Sequence, residues 1–98
     1  MKTEFEYKGL QKSVLLEQQA NEEISKIIQK YEWVNHAIVH FTKDKGEKGC
    51  VCAVEVRSGA APDVFVKEGN GKFEVSIAKA FDVLDRQLSK AKGKLFHS

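Results

Sequence analysis

The stretch Phe73-Glu74-Val75-Ser76-Ile77-Ala78-Lys79-Ala80-Phe81-Asp82-Val83-Leu84-Asp85-Arg86-Gln87-Leu88-Ser89-Lys90-Ala91-Lys92-Gly93-Lys94-Leu95 decides how this chain folds. Its apolar residues Phe73, Ile77, Phe81, Leu84, Leu88 and Leu95 step by four, four, three, four and seven, which places them on one face of a helix reaching from Lys72 to about Leu95. A helix with a single apolar stripe must lay it on another apolar layer. The sequence upstream supplies that layer.

From Thr3 to Lys8, Phe5 and Tyr7 alternate with Glu4, Glu6 and Lys8, the period of a half-buried strand, and Gly9 ends it. Ser13 offers an N-cap to a second amphipathic helix, whose apolar residues Leu16, Ala20, Ile24, Ile27, Ile28 and Tyr31 recur at three and four. Ala37, Val39 and Phe41 then alternate with His36, His40 and Thr42. After a charged turn from Lys43 to Gly49 the run from Cys50 to Arg57 alternates again, so the two strands read as a hairpin. Ser58 to Pro62 reads as a loop, Asp63 to Lys67 as a short strand, and Gly69-Asn70-Gly71 as a turn. The order is β-α-β-β-β-α, without linker, repeat or low-complexity tract. It predicts an α+β fold, one domain over residues 1–98, with both helices packed on one face of a four-stranded sheet, as in double-stranded-RNA-binding domains (dsRBD-like).

Ninety-eight residues, 42% of them hydrophobic, suffice for one core without a disulfide or a metal. No apolar run approaches the ~18 residues of a membrane span, and the start Met1-Lys2-Thr3-Glu4-Phe5-Glu6 lacks the features of a signal peptide, so a cytoplasmic location and no membrane partner are expected. Cys50 and Cys52 lie one residue apart, too close for a framework disulfide, which fits a reducing compartment. Sixteen basic against fourteen acidic residues is only weakly cationic. The distribution is uneven, however. From residue 86 onward Arg86, Lys90, Lys92 and Lys94 meet no acid at all.

On a helical wheel Lys72, Lys79, Arg86, Lys90 and Lys94 fall within an arc of roughly 80°, clear of the apolar face, with Glu74, Asp82 and Asp85 expected on the other flank. Last-turn lysines also complement a helix dipole, which accounts for Lys90 to Lys94 but not for Lys72 and Lys79. A one-sign stripe of this length is the footprint of a surface that tracks phosphates. Other constellations carry less. His36, His40, Cys50 and Cys52 are residues that zinc uses, but strand alternation puts the cysteines on a core face and the histidines on the opposite one, so no metal is expected. Gly46-Glu47-Lys48-Gly49 matches the GxxG of KH domains, yet that loop joins helices and this one joins strands. Gly69-Asn70-Gly71-Lys72 fails as a Walker A loop, because Val66 stands where a glycine is needed and Phe73 where Ser or Thr is needed. His36, His40 and His97 sit in no nucleophile motif, so neither an enzyme, a cofactor nor a small-molecule substrate is expected.

The last helix resembles that of the ribosome hibernation-promoting factors, also called ribosome-associated inhibitor or sigma-54 modulation proteins. Its tail Arg-Gln-Leu-x-Lys-x-Lys-x-Lys-Leu, from Arg86 to Leu95, carries most of the likeness, and Tyr31-Glu32-Trp33-Val34 sits where that family's first helix ends in an aromatic residue. Two features depart from the family pattern: Ala78 stands where an Asp or Asn is usual, and Lys72-Phe73-Glu74 replaces an acid-Met-Tyr opening. With its end at Ser98 the chain resembles the short form. The resemblance implies binding to the small ribosomal subunit, in the channel of messenger and transfer RNA, with Arg86, Lys90, Lys92 and Lys94 on ribosomal RNA. Lys79 and Lys72 join only through the helical arc, and Lys92 lies off that arc.

The leading expectation is therefore a translation regulator that grips ribosomal RNA by its phosphates and keeps idle ribosomes inactive. Two alternatives stay open: a double-stranded RNA module, and a protein-interaction domain that pairs through its sheet edge.

Overall fold

The alternating and three-four patterns become six elements: β1 (Lys2–Lys8), α1 (Val14–Lys30), β2 (His36–Lys43), β3 (Cys50–Arg57), β4 (Val64–Asn70) and α2 (Phe73–Leu95). The structure is a computed structural model that describes residues 1–59 and 61–95, excepting the side chains of Lys94 and Leu95; His97 lies outside the described residues. Strands lie side by side in chain order, β1-β2-β3-β4. α1 carries the chain back along β1, so β2 runs parallel to it, with Phe5 beside Val39 and Tyr7 beside Phe41. A parallel neighbour requires such a crossover. β2, β3 and β4 then follow as antiparallel neighbours, Val39 opposite Val54 and Val54 opposite Val66. The sheet is thus mixed, and the antiparallel dsRBD-like arrangement describes only its last three strands.

Pleating sends one set of strand residues under the helices. Ala37, Val39, Phe41, Cys52, Val54, Val56 and Val66 form one core with Ala20, Ile24 and Ile27 of α1 and Ile77, Ala80, Phe81, Leu84 and Leu88 of α2. Phe41 is its aromatic centre, fully buried, with the rings of Tyr7, Phe73 and Phe5 at 5.3, 6.0 and 6.2 Å. Both helices cover this face. The opposite face of the sheet is open and carries Glu4, Glu6, His36, His40, Glu55, Arg57, Phe65 and Lys67, which follows from the same register.

Ser13 caps α1 as expected, its Oγ accepting from the Leu16 N–H at 3.3 Å, and Tyr31 ends the helix by donating its N–H to the Ile27 carbonyl at 2.8 Å. β4 differs from the expectation. It continues past Lys67 through Gly69 and Asn70, which pair with Val51 and Cys50. A Cβ at position 69 would stand 3.0 Å from the Lys48 carbonyl oxygen, so this glycine marks a close approach of the neighbouring hairpin and not a turn. Cys50 and Cys52 are buried and free, on the core face where alternation puts them. Among the described residues no three His, Cys, Asp or Glu side chains converge as a metal would need, and no helix is long and apolar enough to cross a membrane.

Candidate nucleic-acid interface

α2 owes its placement to both ends of its apolar stripe. Phe73 packs on Phe41 at one end and Leu88 is fully buried at the other, so the helix cannot roll. Lys72 stands just before it as the N-cap: its carbonyl accepts from the Ser76 N–H at 3.1 Å, and its own N–H donates to Asn70 Oδ1 at 3.3 Å. With the inner face fixed, Lys79, Arg86 and Lys90 are held on the outer face, exposed. Lys79 and Lys90 enter no ion pair among the described residues. They are cations free to meet phosphate.

Arg86 is not isolated from acid, as the wheel suggested. Its Nη2 donates to Asp82 Oδ2 at 2.6 Å, one turn back on the same helix, with both side chains about two-thirds exposed. Asp82 was expected on the far flank with Glu74 and Asp85, but residues four apart lie only about 40° apart on a helix, so Asp82 borders the basic line and faces Arg86 directly. Such a solvated pair contributes only a few tenths of a kcal/mol, so a polyanion can compete for the guanidinium.

Asp85 does lie on the other flank and turns toward α1. There it accepts from Lys30 Nζ at 2.8 and 3.0 Å and from the Tyr31 hydroxyl at 2.5 Å. The bonds from Lys30 and then from Tyr31 hold its carboxyl below the usual range, and Asp85 in turn raises Lys30. Burial, more than Asp85, raises the Tyr31 phenol. Lys92 belongs to this side as well. Its Nζ is 6.0 Å from the Tyr31 ring centre, over a notch lined by Gln29, Lys30, Glu32 and Trp33. Lys92 therefore does not share the line of Lys79, Arg86 and Lys90. The Lys94 side chain lies outside the described residues.

The histidines have partners that sequence could not supply. His36 Nε2 is 2.6 Å from Glu4 Oε2 and His40 Nδ1 is 3.4 Å from Glu6, across the parallel β1–β2 pairing on the open face. That bond to His36 lowers the Glu4 carboxyl. Sequence reading also missed a second gathering of cations at the end of the sheet where β1, β2 and β4 finish. Lys12, Lys45, Lys48 and Lys72 lie in the connections at that end and Lys8 and Lys43 are the last residues of β1 and β2, though the six are scattered over 65 positions of sequence from 8 to 72. The signal for them is the direction of each strand, which is fixed only once β1 and β2 are known to be parallel.

No curated protein matches the sequence. Among solved structures, a ribosomal subunit interface protein from Coxiella burnetii superposes with a TM-score of 0.85 at 16% identity, over 95% of this chain and 99% of that one. The N-terminal domain of Protein Y from Thermus thermophilus superposes with a TM-score of 0.75, again at 16% identity, over 89% of this chain and 93% of the other. At that identity the likeness establishes the fold. Over residues 3–95 the sequence fits the model of the Sigma 54 modulation protein / S30EA ribosomal protein family, and the chain belongs to that family of ribosome-associated modulation proteins, which are not enzymes.

Proposed function

We propose that the protein is a cytoplasmic translation regulator that binds the small ribosomal subunit and keeps idle ribosomes inactive, gripping ribosomal RNA through the outer face of α2. The observation that carries this reading is the pairing of a family match over residues 3–95 with an exposed, rigidly seated cationic line at Lys79, Arg86 and Lys90. Lys72 extends the line at the helix start, while Lys92 and Lys94 follow it near the end on the strength of family resemblance. Lysines on a buried-core helix suit phosphate tracking, since they deliver charge at fixed spacing without reading bases. Aromatic stacking on single-stranded bases has little support on α2, because Phe73 and Phe81 are engaged in the core with Phe5 and Phe41, and the exposed Phe65 lies on the open sheet face away from the basic line.

The reading is tested by sedimenting a lysate at low salt and by adding the purified protein to cell-free translation. Co-migration with small subunits or whole ribosomes, together with reduced translation, is expected. A protein that stays at the top of the gradient while binding an RNA duplex of similar charge would replace this reading with the double-stranded RNA module.

A further inference from the structure

Two glycine-bearing segments that sequence context discounts as phosphate loops, Gly46 to Gly49 and, at the end of β4, Gly69 to Lys72, meet at one end of the molecule. β1, β2 and β4 run toward that end, and α1, β3 and α2 start from it, so the connections 9–13, 44–49 and 71–72 lie together. Their contact is backbone to backbone. A Cβ at position 9 would stand 2.4 Å from the Lys43 carbonyl oxygen, and one at position 71 would stand 3.2 Å from that of Glu47. Within the hairpin the Asp44 N–H donates to the Gly49 carbonyl at 2.8 Å, and the Cys50 thiol donates to the Gly71 carbonyl at 3.5 Å. Glycines thus allow the three connections to close into one surface.

That surface holds six lysines, Lys8, Lys12, Lys43, Lys45, Lys48 and Lys72, against Asp44 and Glu47, a surplus of four positive charges in a chain whose whole surplus is two. The remainder of the chain is net acidic. Counting also the first-turn acids Glu17 and Glu74, the end still carries a surplus equal to that of the entire protein, and Glu17 is already engaged by the Tyr7 hydroxyl at 2.6 Å. All six lysines are exposed, and none enters an ion pair among the described residues. The amino ends of α1 and α2 add their positive dipoles to the same side. The arrangement joins the line on α2 through Lys72, from which Lys90 is about 27 Å away along the helix, in a molecule 47 Å long.

We propose that this loop end is a second phosphate-binding surface, which engages the sugar-phosphate backbone of RNA beyond the stretch held by the line on α2. The choice of RNA as the polyanion rests on the function proposed above. The surface itself rests on charge and topology. Its cations are all lysine, without arginine forks or exposed aromatic rings among the described residues, so it senses backbone charge and not sequence. The two surfaces together let one small domain touch phosphates at both ends of its long axis.

The test replaces Lys12, Lys45 and Lys48 with Gln, three exposed side chains whose loss breaks no ion pair, so an unchanged melting midpoint is the control for folding. Binding to a labelled 20-base-pair RNA duplex is followed against salt, alongside pelleting with purified small subunits. We expect the variant to lose roughly 10-fold in duplex affinity at moderate salt, and the slope of log affinity against log salt to fall in magnitude by about 2 to 3. An affinity and slope equal to the wild type, or a wild type that ignores the duplex but binds vesicles of acidic phospholipid through these lysines, overturns the proposal. Pelleting reports separately on the ribosomal reading: subunits that bind both proteins alike overturn the loop surface and leave that reading intact, whereas duplex binding lost in the variant with no subunit binding by either protein upholds the surface and removes the ribosome.

Discussion

Cys52 shows how far burial fixes chemistry at a single residue. It is fully buried, and burial alone pushes its thiol up to about 12, so no thiolate forms near neutral pH. Cys50, on the same face, already donates to the Gly71 carbonyl. A serine can keep that bond at position 50 but finds none among the apolar neighbours of position 52. Cys52→Ser should therefore cost roughly 1 to 3 kcal/mol in urea titrations and Cys50→Ser clearly less, with RNA binding retained in both. Equal losses at the two sites would contradict this account. Asp82 offers the opposite case, a surface residue that matters for charge and not for fold. Replacing Asp82 by Ala frees Arg86 and should strengthen RNA binding roughly 2- to 5-fold at low salt, while stability moves by less than about 0.5 kcal/mol. Unchanged affinity would mean that Arg86 does not contact the nucleic acid.

The two helices are tied to each other by Lys30, Tyr31 and Asp85, and this tie sets an expected pH profile. Asp85 has a lowered pKa, so its contribution is complete above the ordinary carboxylate range and is lost as pH falls through the lowered value. Tyr31 and Lys30 are raised above their ordinary 10.0 and 10.5, so their contributions are complete below those values and fade as pH rises through the raised ones. The melting midpoint should be flat between about pH 5 and 9 and fall on both sides. In Asp85→Asn the acid limb should become shallower, and tyrosinate absorbance should develop at lower pH; an acid limb identical to wild type would show that other carboxylates set it. At this scale the sequence was most legible. The stripes at Phe73/Ile77/Phe81/Leu84/Leu88 and Ala20/Ile24/Ile27, the Ser13 cap and the alternation of Cys50, Cys52, Val54 and Val56 each obey a local rule, and each forms as read. What stayed hidden depends on neighbours distant in sequence. Gly69 and Asn70 read as a turn because their ladder partners, Val51 and Cys50, lie 18 and 20 residues upstream. Asp82 was the exception among local features: its four-residue spacing from Arg86 already makes the two same-face neighbours, and the expectation of a far-flank acid overlooked it.

For the whole molecule the informative quantity is the arrangement of charge and not its total. A surplus of two conceals a cationic line on α2, a cationic loop end and a net acidic remainder. The line could be anticipated because one helix carries all of it. The loop end could not, since six lysines from three connections and the strand ends beside them meet only when β1 and β2 pair in parallel. The open sheet face, where Glu4 and Glu6 meet His36 and His40, carries charges of both signs and makes a weaker polyanion surface than either. Binding through the line on α2 is the central claim, and the most direct measurement is the affinity of the triple variant Lys79→Glu, Arg86→Glu, Lys90→Glu for purified small ribosomal subunits across a salt series, with its thermal midpoint determined in parallel. With about five phosphate contacts the wild type should show a log–log slope of about −3 to −4.5, and the variant should bind at least roughly 100-fold more weakly at an unchanged midpoint. A variant that keeps both the wild-type affinity and the wild-type midpoint would contradict the claim.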